Sequence, residues 1–200
     1  MLIESIKIVF VLVIIVQYFF LFIVFLPLQN AAYKNTHLGS IKLSWPDISV
    51  VIIVKNEVAN LVELIPLLLR LEYQGLFDIH ILDDASTDGT QELINQRFGE
   101  YNQIHFHSSL TGFSIGKKQQ LSNLSKIKTQ ERVLFTDADC RPGPKWLSSM
   151  ACQAMHHDIL LGYSPYYESS GFVNKLIQFE TALTGLMYMG LARLGFAFMG

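Results

Sequence analysis

The run Ile48-Ser49-Val50-Val51-Ile52-Ile53-Val54 sets the tightest limit on what this chain can become. It is β-branched and apolar at almost every position, the pattern of a strand buried on both faces of a parallel sheet. Three shorter runs follow: Ile79-His80-Ile81-Leu82, then Ile104 to His107, then Val133-Leu134-Phe135. Helical patterns separate them. Leu61, Leu64, Ile65, Leu68 and Leu71 recur at helical spacing behind Asn56, which is placed to cap that helix. Pro66 falls inside the pattern and is expected to kink or restart it. Ser86 or Thr87 is placed to cap a helix from Gln91 to Phe98. Lys117-Lys118 opens another with Leu121, Leu124 and Ile127 on one side, and Trp146 to His156 reads as a fourth. Alternation of this kind predicts an α/β fold, a mostly parallel sheet with helices on both faces.

Polar chemistry gathers where the strands end. Asn56-Glu57 follows the first strand, Asp83-Asp84 the second, and Asp137-Ala138-Asp139 the fourth. In a parallel sheet these ends share one edge, the edge at which open α/β sheets bind ligands. Alternate residues of an extended chain point the same way, so Asp137 and Asp139 are expected to leave the strand on one side. Two hard oxygen donors there suit Mg²⁺ or Mn²⁺. Acidic groups crowded at one edge repel one another unless a cation or a donor-rich ligand sits among them. Lys117, beside Gly116, adds a cation suited to a diphosphate. His105 and His107 share a strand face and read as polar surface.

The first part of the chain is of another kind. Ile8 to Leu28 carries no charge and is long enough, at about 1.5 Å per residue, to cross a bilayer core of about 30 Å. Its end, Phe25-Leu26-Pro27-Leu28-Gln29, is a poor cleavage site, which favours an uncleaved anchor over a signal peptide. The whole composition agrees: 50% hydrophobic, 16% charged, mean hydropathy +0.32. Residues 1–29 are therefore expected to be a transmembrane anchor, 30–46 a linker, and 47–200 the folded domain. Lys34 and Lys42 after the anchor favour a cytoplasmic domain under the positive-inside rule. Cys140 and Cys152 form no metal-binding pair and are expected to stay reduced. A net charge of −2 supplies no basic field for nucleic acid.

Taken together, Val51-Ile52-Ile53 with Asn56-Glu57, Leu82-Asp83-Asp84-Ala85-Ser86-Thr87-Asp88-Gly89-Thr90, Gly116-Lys117 and Thr136-Asp137-Ala138-Asp139-Cys140 resemble the family 2 glycosyltransferases. The likeness covers residues 48 to 150 in order and continues more weakly through Trp146-Leu147 and Phe179-Glu180 to Phe198-Met199-Gly200. It implies the GT-A fold, which binds a nucleotide-diphosphate-sugar, and inversion at the anomeric carbon. By the same resemblance Asp84 would bind the nucleotide base, with Asp83 before it in the motif. Asn56 and Glu57 would lie beside base and ribose, and Asp137 near ribose and diphosphate. Asp139 would hold the metal together with Asp137, and Lys117 would stand near the sugar nucleotide. Ile53-Val54 stands where many members carry Pro-Ala, which affects the wall of the base pocket.

The implied donor is a nucleotide-sugar, with a UDP-sugar favoured, and the implied acceptor is a lipid, a lipid-linked molecule or a polysaccharide at the membrane. No general base is identified: Asp158, Glu168 and Glu180 match no family motif. A membrane-tethered sugar-nucleotide-binding scaffold without catalysis is the competing reading, and a nucleotidyltransferase would want a basic glycine-rich loop after the first strand. The order of motifs carries the expectation of an acceptor half beyond Gly200. Leu160 to Tyr163 suggests a further strand. Asn174 to Phe198 suggests an amphipathic helix, packed on the domain or lying on the membrane surface, rather than a second span.

Overall fold

The computed structural model describes residues 2–35, 45–109, 116–193 and 195. Residues 36–44 of the expected linker, the loop around Gly112 and the Phe198-Met199-Gly200 end lie outside them. The chain divides into two compact units, residues 43–160 and residues 1–42 with 161–200.

The unit from 43 to 160 is a four-stranded sheet with helices around it. Its strands are β1 (Ile48–Val54), β2 (Phe77–Asp83), β3 (Ile104–His107) and β4 (Arg132–Thr136). They lie in the order β3-β2-β1-β4, all parallel. The helices are α2 (Val58–Leu68), α3 (Thr90–Leu93, widening into a π-turn over Ile94–Phe98), α4 (Lys117–Leu124) and α5 (Trp146–Ala154). Val50, Ile52 and Val54 of β1, with Ile79 and Ile81 of β2, form one buried face. Leu61, Leu64, Ile65 and Leu68 of α2, Ile94 and Phe98, and Leu147 and Ala151 of α5 pack into the same core. The opposite face carries Val51, His80 and Leu82, also buried. The chain leaves β3 at one edge and reaches β4 at the other through α4; a right-handed crossover puts α4 on that second face. Its Gln120 is buried and donates to the Asp83 carbonyl at 3.0 Å. The sheet is thus parallel with helices on both faces, as the alternation implied.

Several local expectations are corrected. Asn56 does not cap α2: it takes a left-handed backbone, φ 57°, and Glu57 occupies the cap position. Neither Ser86 nor Thr87 caps α3, which begins after Gly89 at φ 91°. Pro66 neither breaks nor restarts α2, which runs on to Leu68; the ring has no N–H to give the Val62 carbonyl, and the helix ends two residues later. Residues 160–163 form no strand; a four-residue run interrupted by Gly162 has too little side-chain pairing to hold one. Trp45 packs on the domain. Its ring meets Tyr73 edge to face at 5.4 Å, its indole N–H donates to Gln74 Oε1 at 2.9 Å, and Tyr73 donates its hydroxyl proton to the Pro46 carbonyl. Burial and the nearby Asp47 push the Tyr73 phenol up to about 12. Gly75 lies under this cluster: a Cβ there would stand 2.9 Å from the Tyr73 ring and 3.1 Å from the Pro46 carbonyl.

In the other unit, α1 runs from Leu2 to Asn35, so the helix extends into the expected linker. Its segment Glu4–Ile23 has a mean hydropathy of 2.7 and is long and apolar enough to cross a membrane. α6 (Phe172–Arg193) packs against α1. Tyr163 rests on α6 at Gly185, where a Cβ would come within 2.5 Å of the ring.

The Trp45 cluster ties the chain to the domain just before β1. Trp45→Ala is expected to lower the unfolding free energy by about 2 kcal/mol, through a half-buried aromatic and its ring pair. Chemical denaturation of the purified chain measures this; an unchanged midpoint would show that the cluster is incidental.

Candidate active site

The three strand ends open onto one cleft of about 510 Å³. Ile53, Val54, Lys55 and Glu57 line it from the end of β1, Asp84 from the end of β2, Gly116 and Lys117 from the start of α4, and Asp137, Ala138 and Asp139 from the end of β4. The cleft lies where the strand order reverses between β1 and β4, the usual ligand position in such sheets. Of the residues singled out in the sequence, Glu57, Asp84, Lys117, Asp137 and Asp139 come together here.

Asn56 and Asp83 do not line it. Asn56 joins two loops: its backbone N–H donates to Ser86 Oγ at 2.8 Å, and its Oδ1 accepts from the Thr87 N–H at 2.8 Å. The left-handed turn that this requires suits Asn, whose short polar side chain tolerates positive φ. Asp83 is buried beneath the site, where Oδ2 accepts the Ser86 N–H at 3.1 Å.

The carboxylates of Asp137 and Asp139 reach the cleft by a different route from the one expected. β4 ends at Thr136, and Asp137 to Cys140 form a tight turn closed by the Cys140 N–H on the Asp137 carbonyl at 3.2 Å. A turn, rather than strand alternation, brings both acids to the cleft, with Ala138 buried between them. Lys117 Nζ meets Asp137 Oδ1 at 2.6 Å, both side chains being well exposed. Asp84 accepts the Gly116 N–H, at 3.3 Å on Oδ1 and 3.2 Å on Oδ2, and so fixes the start of α4 at φ 79°.

Two residues to which the sequence assigns no role hold these parts in place. Arg141 donates from Nη1 to the Ala138 and Cys140 carbonyls at 3.1 and 2.9 Å. Its other nitrogens reach Glu63 Oε2 at 2.9 and 2.7 Å and Asn60 Oδ1 at 3.0 Å, all on α2. The acidic turn is thereby fastened to a core helix. Its one sequence signal is an arginine set directly between the acidic turn and Pro142-Gly143-Pro144. Asp88 accepts the Val58 N–H at 2.9 Å, the Thr90 N–H at 3.1 Å and the Thr90 hydroxyl at 2.6 Å. One carboxylate therefore serves the starts of both α2 and α3. Burial raises the Asp88 carboxyl, but its hydrogen bonds from Thr90 and Val58 outweigh this and hold it below the ordinary carboxylate value.

Electrostatics decide what the cleft can accept. Glu57, Asp84, Asp137 and Asp139 against Lys55 and Lys117 leave its wall with a formal excess of two negative charges. A bare diphosphate would be repelled. A divalent cation held at the acidic turn would offset this excess. The two carboxylates of the turn are hard oxygen donors and fit Mg²⁺ or Mn²⁺.

A sequence model described as glycosyl transferase family 2 matches residues 49–195. The chain belongs to this family. The match covers the cleft and runs on into α6. Among curated relatives, the beta-monoglucosyldiacylglycerol synthase of Nostoc sp. (strain PCC 7120 / SAG 25.82 / UTEX 2576) is 29% identical over 99 residues, 49% of this chain and 21% of that protein. Its counterpart in Trichormus variabilis (strain ATCC 29413 / PCC 7937) is 28% identical over 110 residues, 54% of this chain and 23% of that protein. The chain thus spans about a fifth of the length of these relatives. Among solved structures, S. aureus TarS 1–349 matches with a TM-score of 0.48 and 22% identity, over 56% of this chain and 33% of the other. The mannosyltransferase PcManGT from Pyrobaculum calidifontis, solved with GDP-Man and Mn²⁺, matches with a TM-score of 0.45 and 21% identity, over 58% of this chain and 38% of the other.

Within this family 2 domain, Asp88 yields a pH-dependent test. Its carboxyl is held low in the fold, so its contribution is complete above the unfolded carboxylate pKa of about 3.9 and is lost as pH falls through the lower folded value. Asp88→Ala is expected to cost about 1 kcal/mol at pH 7, as loss of a helix cap does. The gap to the native chain should narrow below about pH 3, where the native carboxyl is itself protonated. Urea denaturation at the two pH values measures it; a gap that widens in acid would overturn the assignment.

Proposed function

We propose that this chain is the donor-binding part of a membrane-anchored glycosyltransferase. It takes a sugar from a nucleotide-diphosphate-sugar, a UDP-sugar being favoured, and passes it with inversion to a lipid, lipid-linked or polysaccharide acceptor. The observation that carries this reading is the cleft at the β1/β4 reversal, into which Glu57, Asp84, Lys117, Asp137 and Asp139 all converge.

In this reading Asp84, which accepts the Gly116 N–H just after β2, would receive the base. Glu57, which follows β1 and lines the same cleft, would lie beside base and ribose. Asp137 and Asp139 would hold Mn²⁺ or Mg²⁺, with Asp139 the principal ligand. When bound, the metal supplies Lewis-acid stabilisation of the charge that develops on the leaving diphosphate. Lys117 holds Asp137 in the free chain, and a diphosphate arriving beside the turn gives that ammonium a second anionic partner. Asn56, Asp83 and Asp88 act on the site through the loops they fasten. No base for the acceptor hydroxyl is assigned: Asp158 lines a separate cleft with Ile48 and Arg132, at the opposite ends of the strands, and Glu168 and Glu180 belong to the other unit.

Two observations support a membrane acceptor. The relatives named above are called synthases of a glucosyldiacylglycerol. The α1 segment Glu4–Ile23 has the length and apolarity of a span, and tethering raises the effective concentration of an acceptor in the same bilayer. The domain then faces the cytoplasm, where sugar nucleotides are made.

Asp139→Asn preserves size and removes charge. Calorimetric titration with UDP-sugars, with and without Mn²⁺, is expected to show strong metal dependence in the native chain and little in this variant. Unchanged metal dependence would refute the site. Arg141→Ala touches neither metal nor donor in this reading but loosens the turn, and is expected to weaken Mn²⁺ affinity about tenfold, as loss of an outer hydrogen-bond partner does. Equal affinity would deny Arg141 its positioning role.

A further inference from the structure

A second polar cluster lies on the sheet face away from α2, far along β2 from the cleft. Asp78 and His80 alternate on β2, and His105 and His107 alternate on the neighbouring β3; the pairings His80 with His105 and Leu82 with His107 put all four on one face. His80 is 3% exposed. Its Nδ1 is within 3.0 Å of His107 Nε2, with the two rings stacked. Asp78 Oδ2 accepts from Gln130 Nε2 at 3.0 Å. The remaining atoms of the pair, His80 Nε2 and Asp78 Oδ1, face each other at 3.2 Å. Both are buried, and among the described residues neither has a further hydrogen-bond partner. Buried polar atoms are rarely left this way without something to bind.

The spacing suits a cation. Two donors about 2.0–2.2 Å from one ion at a tetrahedral angle stand about 3.4 Å apart. One ligating atom each from Asp78, His80 and His105 lies within 4.8 Å of the others, and His105, the exposed member, can swing to close the remaining gap. The outer contacts also match: a ligating imidazole is normally held at its other nitrogen, and a ligating carboxylate at its other oxygen. His107 and Gln130 do this here.

We propose that Asp78, His80 and His105 form a binding site for a divalent transition ion of the zinc class, separate from the cleft. Two imidazole nitrogens and one carboxylate oxygen are the donor set of zinc rather than of Mg²⁺ or Mn²⁺, which favour oxygen alone. The ion would join β2 to the four-residue edge strand β3, whose few backbone bonds leave it the least secured strand of the sheet.

The probe is Co²⁺, whose visible absorption reports a tetrahedral nitrogen-and-oxygen site, followed by displacement with Zn²⁺. The full chain carrying Asp139→Asn is used, so that the cleft contributes no ion. The expected result is one Co²⁺ per chain, displaced by Zn²⁺, with Zn²⁺ raising the melting temperature. Adding His105→Ala, an exposed change that folding should tolerate, is expected to weaken Co²⁺ binding at least tenfold and abolish the Zn²⁺ shift. Asp78→Asn should do the same. Absence of Co²⁺ uptake would mean that a proton alone serves Asp78 and His80, and would overturn the proposal. So would uptake indifferent to His105. Neither result bears on donor binding in the cleft.

Discussion

Everything at the cleft depends on β4 pairing with β1 rather than with its sequence neighbour β3. The register sets Ile52 beside Thr136, so β1 ends two residues beyond its partner. Lys55 and Glu57 then lie beside the turn that carries Asp137 and Asp139. Without the long crossover through α4 the two ends would sit at opposite edges of the sheet, and the acidic turn would face water alone. Hydrophobic burial drives this placement. Val50, Ile52 and Val54 are buried on one face and Val51 on the other, and β2 and β4 on either side pair the β1 backbone that such burial takes from water.

Packing positions the strands, and a small set of polar contacts then positions the loops. Asn56 to Thr87, Asp88 to the starts of α2 and α3, Asp84 to the start of α4, and Arg141 to α2 each cross between elements distant in sequence. Left-handed residues at Asn56 and Ala85, φ 57° and 60°, mark where the backbone is held against its own preference. Such strain persists only where the surroundings over-determine it, and it gathers at working sites. Like charges on the cleft wall add a second cost that a bound cation relieves. The same logic of unsatisfied atoms, on a smaller scale, applies to Asp78 and His80 at the other side of the sheet.

Much of this was legible in the sequence because it rests on repeating patterns. The β-branched run of β1 and the leucine spacing of α2 follow from side-chain period alone, and the acids at the strand ends follow once the sheet is parallel. What escaped reading depends on contacts between distant segments. Asn56 looks like a helix cap in one dimension; in three it serves Thr87, thirty-one residues later. Arg141 carries no periodic signal, because its partners are turn carbonyls and a glutamate seventy-eight residues away. His105 and His107 look like polar strand surface because nothing in β3 alone reveals that His80 lies buried beside them.

The central claim is that the turn Asp137–Asp139 is where a divalent metal meets a diphosphate. Crystals grown with UDP and Mn²⁺, measured at the manganese absorption edge, test it most directly. The expected result is an anomalous peak at the carboxylate of Asp139, with the diphosphate on its far side towards Lys117. A peak confined to the Asp78, His80 and His105 cluster, or UDP bound with no manganese at the turn, would contradict it.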